Sequence, residues 1–236
     1  MRNLKFLKHI KNIGIEGVLG VGKTTIAKII AERCNGRLIL EEAESNPFLP
    51  LFYRDKKKYA FQTQLWFLIS RYRQLSQAFV QMDLFYDVNV FDYIFAKDRI
   101  FATINLEENE LALYNNIASV LEERIPVLDY VIYLQASTDV LLKRIAKRGR
   151  HYEKDIDEDY IEQLNQAYNQ FFFHYSDSPL LIINTNDIDF VKKAGDLEEI
   201  LNEIAKSLPG THFFTPPDSK TKIFFDDKKR GSEEQI

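Results

Sequence analysis

The sequence predicts an α/β fold in which five parallel strands form a sheet flanked by helices. Five short apolar runs have the length of buried strands, at residues 13–16, 38–41, 88–91, 130–134 and 180–183. Segments with helical periodicity alternate with them, at residues 24–34, 59–82, 107–123, 138–147, 158–175 and 197–208. This alternation is typical of a parallel sheet with helices on both faces, because each crossover between strands carries a helix.

A glycine-rich turn joins the first strand to the first helix. Residues 17–24 read Gly-Val-Leu-Gly-Val-Gly-Lys-Thr and match the phosphate-binding P-loop pattern G-x-x-x-x-G-K-[S/T] in its required strand–helix context. Backbone N–H groups of such a loop point at phosphate oxygens, while the lysine reaches the outer phosphates and the threonine hydroxyl binds Mg²⁺. The predicted nucleotide contacts are Gly17, Val18, Leu19, Gly20, Val21, Gly22, Lys23, Thr24 and Thr25. GTPases, motor ATPases and small-molecule kinases share this loop, so it does not select a reaction.

The second and third strands each lead into an acidic residue. Glu41 ends the run 38–41, and Asp92 follows the run 88–91. Ligands of an open parallel sheet lie beyond the carboxyl ends of its strands, which places both acids near the P-loop. Phosphoryl transfer to a hydroxyl needs a carboxylate that takes the proton and an acid that holds Mg²⁺. We expect Glu41 to do the first and Asp92, with Thr24, the second; a solvated loop acid and a structural strand-end acid are the alternatives.

Three arginines surround the end of the helix predicted at residues 138–147. Arg144 and Arg148 are four residues apart and share a helix face. Gly149 ends the helix and leaves Arg150 free to swing. Together with Lys23, these arginines are predicted catalytic cations, because a short arginine-rich lid can neutralise charge on a transferring phosphoryl group. The alternative is a cationic helix end that complements the helix dipole.

Composition limits the other classes of function. The 236 residues are enough for one domain, and the net charge of −4 argues against a nucleic-acid-binding protein. The single cysteine, Cys34, excludes an internal disulfide framework, and we expect a cytoplasmic location because no apolar run suggests a signal peptide or a membrane span. Prolines and mixed charge after residue 208 predict a domain at 1–208 and a disordered tail at 209–236.

Taken together, these motifs resemble the deoxynucleoside kinase family. The resemblance covers residues 13–208 and rests on the P-loop, Glu41 with Asn46-Pro47, the helix from Phe61-Gln62-Thr63-Gln64 to Ser70-Arg71, Asp92 with Asp98-Arg99, and Arg144-x-x-x-Arg148-Gly149-Arg150 with Glu153. It implies a P-loop kinase fold, ATP as phosphate donor, Mg²⁺, a deoxynucleoside acceptor, a role in nucleotide salvage and a homodimer.

The resemblance also implies roles for single residues. Glu41 would be the general base for the 5′-hydroxyl of the nucleoside. Gln64 and Arg71, about two helical turns apart, would contact its base, and Asp98 would pair with Arg71. A second set would surround the sugar and the adenine: Tyr53 and Glu153 would hold the 3′-hydroxyl, and Phe190 and Arg148 would sandwich the adenine of ATP.

Two positions depart from the family pattern, and two other functions stay open. Tyr93 stands where many members have arginine, which removes a cation, and Glu42 stands where many have proline. The Arg71–Asp98 pair favours a base with an amino group, a purine first and cytosine as the alternative. A nucleoside-monophosphate kinase such as thymidylate kinase shares the fold, and a non-catalytic accessory protein is the other alternative.

Overall fold

Six parallel strands form the sheet of the computed structural model, which describes residues 10–80, 85–150, 153, 156–188 and 194–216. The spatial order of the strands is β2-β3-β1-β4-β5-β6. Their bounds are Asn12–Glu16 (β1), Gly36–Ile39 (β2), Val88–Phe91 (β3), Tyr130–Gln135 (β4), Leu180–Asn184 (β5) and Thr211–Phe214 (β6). The predicted parallel α/β sheet is therefore confirmed, with one strand more than expected.

Helices connect the strands and cover the sheet. They are Lys23–Cys34 (α1), Leu49–Arg54 (α2), Lys56–Val80 (α3), Lys97–Asn105 (α4), Glu108–Glu122 (α5), Thr138–Arg148 (α6), Glu158–Phe173 (α7) and Ala194–Ile204 (α8), with one 3₁₀ turn at Ala43–Ser45. Local interactions fix the start of α7 and the end of α6. The Asp157 side chain accepts from the Asp159 N–H at the start of α7, and Gly149 ends α6 in the left-handed conformation, as predicted. The sequence reading missed α2 and α4.

The sixth strand corrects the predicted tail at 209–236. Residues Thr211–Phe214 pair in parallel with β5, in a register that places Leu180 opposite Thr211 and Ile183 opposite Phe214. Pro209 and Pro216 flank this strand and do not interrupt it, so the prolines bound a short edge strand where the sequence suggested a frayed terminus. Residues 217–236 lie outside the described part of the chain.

The core lies on both faces of the sheet. Strands β1, β4 and β5 are almost completely buried, as expected for a parallel sheet with helices on each side. Tyr133, Tyr168 and Phe172 stack together against the sheet, with ring centroids of Tyr133 and Phe172 4.1 Å apart. Among the helices that the structure describes, none has the length and apolar character needed to cross a membrane.

Strand order places the carboxyl ends of β1 and β3 side by side. β1 pairs with β3 along one edge and with β4 along the other. Strands β2 and β3 therefore lie on one side of β1, and β4, β5 and β6 lie on the other. Ligand sites of open α/β sheets form at such a switch in strand order. The P-loop follows β1 and Asp92 follows β3, so the fold brings both to one crevice.

Candidate active site

A cavity of about 980 Å³ opens at the carboxyl ends of the strands. The P-loop and α1 form its floor, α2, α3 and α4 one wall, and α6 with Glu153 the other. Predicted site residues that line this central cavity are Leu19, Gly20, Val21, Gly22, Lys23, Thr24, Thr25, Glu41, Tyr53, Gln64, Arg71, Asp92, Arg144, Arg148, Arg150 and Glu153. Gly17, Val18 and Asp98 lie behind the lining, and Phe190 lies outside the described residues.

Backbone geometry explains the glycines of the P-loop. Gly17 has a φ of +151° and Gly20 a φ of +83°, values that side-chain-bearing residues rarely adopt. A Cβ at Gly17 would lie 2.5 Å from the Leu134 carbonyl oxygen. The Lys23 ammonium donates to the Gly17 carbonyl at 2.6 Å, so its charge sits over the loop. Burial, aided by the charge of Lys97, lowers the pKa of Lys23 to about 8.

Gly17→Ala tests the loop geometry. We expect a loss of roughly 1–3 kcal/mol in the free energy of unfolding, because the positive φ is strained and the methyl group meets the backbone of β4. Mg-ATP affinity should fall with it. Urea unfolding and calorimetric titration with Mg-ATP measure both effects. Gly195→Ala in α8 is the control, because a Cβ there meets nothing within 4 Å. The proposed role of Gly17 in the loop is contradicted if both variants match the unmodified chain in stability and in Mg-ATP affinity.

Thr24 and Asp92 form one polar cluster on the cavity floor. The Thr24 hydroxyl donates to Asp92 Oδ2 at 2.8 Å, and the Glu41 N–H donates to Asp92 Oδ1 at 2.7 Å. Hydroxyl and carboxylate oxygens beside a P-loop are the hard ligands that Mg²⁺ prefers. The donor set therefore fits a magnesium ion, and the second contact fixes the backbone of Glu41 next to it.

Two cations hold the Glu41 carboxylate. Oε1 accepts from Arg71 Nε at 2.9 Å and from Arg71 Nη2, while Oε2 accepts from Lys97 Nζ at 2.8 Å. Burial alone would raise the pKa of Glu41, but the charges of Arg71 and Lys97 outweigh it and hold that pKa well below its usual range. β2 ends at Ile39, so Glu41, predicted as the last residue of this strand, lies instead in the following loop, two residues beyond the strand end. The carboxylate is therefore ionised and fixed at the cavity wall.

The predicted Arg71–Asp98 pair is present and buried. Arg71 Nη1 donates to Asp98 Oδ1, and the Arg71 guanidinium lies 4.7 Å from the centroid of the Phe67 ring. Asp98 Oδ2 is buried and has no hydrogen-bond partner among the described residues. Burial raises the pKa of Asp98 to about 7, with Arg71 opposing the shift and Glu41 reinforcing it. Gln64, also buried, lines the cavity two turns before Arg71 on α3.

Arg144 does not have the freedom expected of a lid residue. Its guanidinium donates to the Thr185 carbonyl at 2.6 Å, to the Thr185 hydroxyl at 3.0 Å, to Val21 O at 3.3 Å and to Ile188 O at 3.2 Å. These contacts join α6 to the P-loop and to the segment after β5. Arg144 is thus held in place at the edge of the cavity by these hydrogen bonds. This corrects the expectation that it is part of a mobile lid together with Arg148 and Arg150.

Arg148 and Arg150 meet a common carboxylate. Arg148 Nε donates to Glu153 Oε2 at 3.1 Å, and Arg150 Nη1 lies 3.9 Å from Glu153 Oε1. Glu153 is buried, whereas both arginines are partly exposed. Tyr53 lines the cavity. Arg148 and Arg150 therefore line the cavity, as expected of lid residues.

Sequence reasoning missed Lys97, a charged residue that lines the cavity, and Glu16, a charged residue beneath the P-loop. Glu16 is fully buried; its carboxylate accepts from the Gly17 N–H at 2.9 Å and from the Ile94 N–H at 3.1 Å, so it fixes the start of the P-loop. Lys97 begins α4, where a positive side chain opposes the helix dipole. Because α4 was not predicted, the sequence signal for Lys97 was its position directly before Asp98.

Tyr93 does not replace the missing arginine. Its side chain is fully buried, and its hydroxyl donates to Gln74 Oε1 at 2.9 Å. It packs with Leu75, Ala78 and Phe91, and its ring centroid lies 6.0 Å from the Arg71 guanidinium, so it borders the charged cluster without adding a charge. The loss of a cation inferred from the sequence is therefore real at this position, and Lys97 is the cation that approaches Glu41 instead.

Known proteins match almost the whole described chain. A family model of deoxynucleoside kinases matches residues 13–209. The chain is 34% identical over 192 residues to the deoxyguanosine kinase of Bacillus subtilis, covering 80% of this chain and 93% of that protein. It is 31% identical over 213 residues to the deoxyadenosine kinase of Lactobacillus acidophilus, covering 84% and 97%. The structure of deoxyadenosine kinase from M. mycoides with bound dATP matches with a TM-score of 0.70 at 30% identity, covering 82% and 98%. The chain therefore belongs to the deoxynucleoside kinase family, whose members are ATP-dependent phosphotransferases.

Proposed function

We propose that this protein transfers the γ-phosphate of ATP to the 5′-hydroxyl of a deoxyribonucleoside, with a purine base preferred and deoxycytidine as the alternative. One observation carries the proposal: the partly buried Glu41 carboxylate faces the central cavity with its backbone bonded to Asp92, at the carboxyl ends of β2 and β3. A base poised beside a P-loop is what phosphoryl transfer to a hydroxyl requires. The product would enter nucleotide salvage.

The phosphate side of the cavity supports ATP as donor. The P-loop supplies backbone N–H groups at the N-terminus of α1, and Lys23 supplies a point charge. Thr24 and Asp92 would hold Mg²⁺, which when bound neutralises charge on the phosphate oxygens. Arg148 and Arg150 stand at the opposite rim, where they would meet the outer phosphates. Stacking of the adenine between Arg148 and Phe190 remains part of the proposal by resemblance.

Glu41 would accept the proton of the 5′-hydroxyl as that oxygen attacks. Arg71 and Lys97 keep the carboxylate ionised, so the proton acceptor is ready across the physiological pH range. A strongly depressed pKa makes Glu41 a weak base in the ground state. That is adequate for a loose transition state, in which the hydroxyl proton becomes acidic only as its oxygen bonds to phosphorus.

Base recognition would come from Arg71, Asp98 and Gln64. Arg71 presents fixed donors, and Gln64 an amide that both donates and accepts. Asp98, behind the lining, orients Arg71 through Oδ1, and in this proposal its unpartnered Oδ2 accepts from the exocyclic amino group of a base that inserts beside Arg71. Thymine carries no such amino group. This arrangement supports adenine, guanine or cytosine over thymine.

The sugar would lie between Tyr53 and Glu153, both of which line the cavity. Two buried polar groups around one hydroxyl discriminate strongly against its absence, because they would be left unpaired. Arg148 and Arg150 contact Glu153, so sugar binding and the lid are linked through one carboxylate. A homodimer, implied by the family resemblance, also belongs to the proposal. So does a cytoplasmic location, which is expected because no apolar run of the sequence suggests a signal peptide or a membrane span.

A coupled assay of ADP release tests the function. We expect turnover with Mg-ATP and deoxyadenosine, deoxyguanosine or deoxycytidine, and little with thymidine, because of the Arg71–Asp98 pair. Thymidine monophosphate is the comparison acceptor. Turnover with the monophosphate alone would replace the proposal with a nucleoside-monophosphate kinase. ATP binding without turnover of any acceptor would favour the non-catalytic alternative.

A further inference from the structure

Lys97 occupies a position that is costly for a lysine. It is 5% exposed and begins α4, at the helix end that disfavours positive charge. Its ammonium lies 2.8 Å from Glu41 Oε2 and 5.7 Å from the centroid of the Phe101 ring. A buried ammonium needs an anion, and among the described residues Glu41 is the carboxylate that pairs with it.

That pairing cannot last through the proposed reaction. When Glu41 takes the proton of the acceptor hydroxyl, its carboxyl group becomes neutral. Arg71 still faces Asp98 at that moment, but Lys97 has lost its partner. The negative charge given up by Glu41 reappears on the phosphate ester that forms on the acceptor oxygen, next to the same carboxyl group. Lys97 is then a buried cation that has lost its paired carboxylate, and it lies beside the carboxyl group that took the proton from the phosphorylated oxygen.

We propose that Lys97 is a further catalytic residue, which leaves Glu41 during the reaction and contacts the phosphoryl group on the acceptor oxygen. The inference rests on the proposed function. In that step the acceptor O–H bond breaks and its proton goes to Glu41, while a bond forms between the acceptor oxygen and the γ-phosphorus. The bond from that phosphorus to the bridging oxygen breaks, and its electron pair remains on the departing ADP. Lys23 meets the group from the P-loop, and Lys97 meets it from the acceptor side.

The position of Tyr93 strengthens this assignment. Tyr93 directly follows Asp92, but its hydroxyl is engaged by Gln74 and it adds no charge. The acceptor side of the cavity would otherwise have Arg71 as its cation, and Arg71 is shared between Glu41 and Asp98. Lys97 is therefore the cation with the freedom to follow the charge from the carboxylate to the product.

Binding measured without ATP separates this role from that of a simple counter-ion. The probes are deoxyadenosine, deoxyguanosine and deoxycytidine and their 5′-monophosphates, titrated by calorimetry into wild type, Lys97→Met and Lys97→Arg. We expect Lys97→Met to weaken binding of the monophosphate about tenfold or more, the effect of one charged hydrogen bond, and binding of the nucleoside less than about threefold. We also expect kcat to fall by about 10²-fold. Lys97→Arg, which keeps the charge, should retain most of the monophosphate affinity.

Arg99→Met is the matched control, since Arg99 lies on the same helix and pairs with Glu122 at the surface. It should change neither ligand's affinity. Thermal unfolding of each variant confirms that it is folded. Equal loss of nucleoside and monophosphate affinity in Lys97→Met, or no loss of either, would overturn the proposal and leave Lys97 as the counter-ion of Glu41. The proposal is also overturned if the affinity of the wild type for every monophosphate is no higher than that of Lys97→Met. Monophosphate-selective loss in a protein with no kinase turnover would support the phosphate contact and reject the proposed function.

Discussion

Replacing Glu41 by Gln is expected to lower kcat by about 10²–10⁴-fold, the range for loss of a general base. The glutamine keeps the shape of the side chain but cannot take the hydroxyl proton. Nucleoside affinity should change far less, because we propose that Arg71 and Gln64 hold the nucleobase. ADP release gives kcat, and calorimetric titration with the nucleoside gives the affinity.

Glu44→Gln is the matched control for this experiment. Glu44 lies in the same loop and borders the same cavity, but its side chain is 72% exposed and lies 3.7 Å from Arg150. Its neutralisation should leave kcat within about twofold, as expected for an exposed ion pair. A kcat for Glu41→Gln within tenfold of wild type would mean that another group accepts the proton. Thermal unfolding must accompany the assay, because Arg71 and Lys97 lose a counter-charge in this variant.

Arg71→Met is expected to produce the largest loss of stability, about 3–5 kcal/mol in the free energy of unfolding. Arg71 is buried between Glu41 and Asp98, so its removal leaves two buried carboxyl groups without their shared cation. The penalty should depend on pH. The folded-state pKa of Asp98 is already raised to about 7 by burial, and loss of Arg71 raises it further. A carboxyl group with a raised folded pKa destabilises the protein as pH rises, so the penalty should be larger at pH 8 than at pH 5.5.

Urea unfolding of wild type and variant at both pH values measures this penalty. Arg99→Met is again the control, because it breaks the exposed pair with Glu122 and should cost about 0–1 kcal/mol at either pH. Similar penalties for the two arginines would show that the Arg71 network is solvated in solution. A penalty that shrinks as pH rises would show that Asp98 is not the group left unpaired.

Periodicity predicted the long and strongly patterned elements of the fold and missed the short ones. The buried strands β4 and β5 are nearly continuous apolar runs, and β1 and β3 are short segments with branched apolar residues at alternate positions, patterns that sequence alone identifies. The helix α2 has six residues, one of them Pro50, and is too short to show a period. The strand β6 has four residues between prolines, and its pairing with β5 depends on tertiary structure.

Sequence predicted the parts of the site that follow strand ends. Asp92 and the P-loop come together because parallel strands end at one edge of the sheet. Lys97 could not be found in this way, since its partner Glu41 is distant in sequence and the helix that carries it was not predicted. The acceptors of Arg144 are mostly backbone carbonyl groups, which leave no signature in the side-chain sequence.

The contacts of Arg144 also decide where the cavity can open. Because its guanidinium bonds to Val21, Thr185 and Ile188, the body of α6 moves as one unit with the P-loop and the end of β5. Close packing of Gly20 against Ile145 reinforces that unit. We therefore expect any hinge on this side of the cavity at Gly149, which follows the last turn of α6 in the left-handed conformation. Opening at that position would leave α6 in place, and such a local motion is fast compared with the motion of a whole helix.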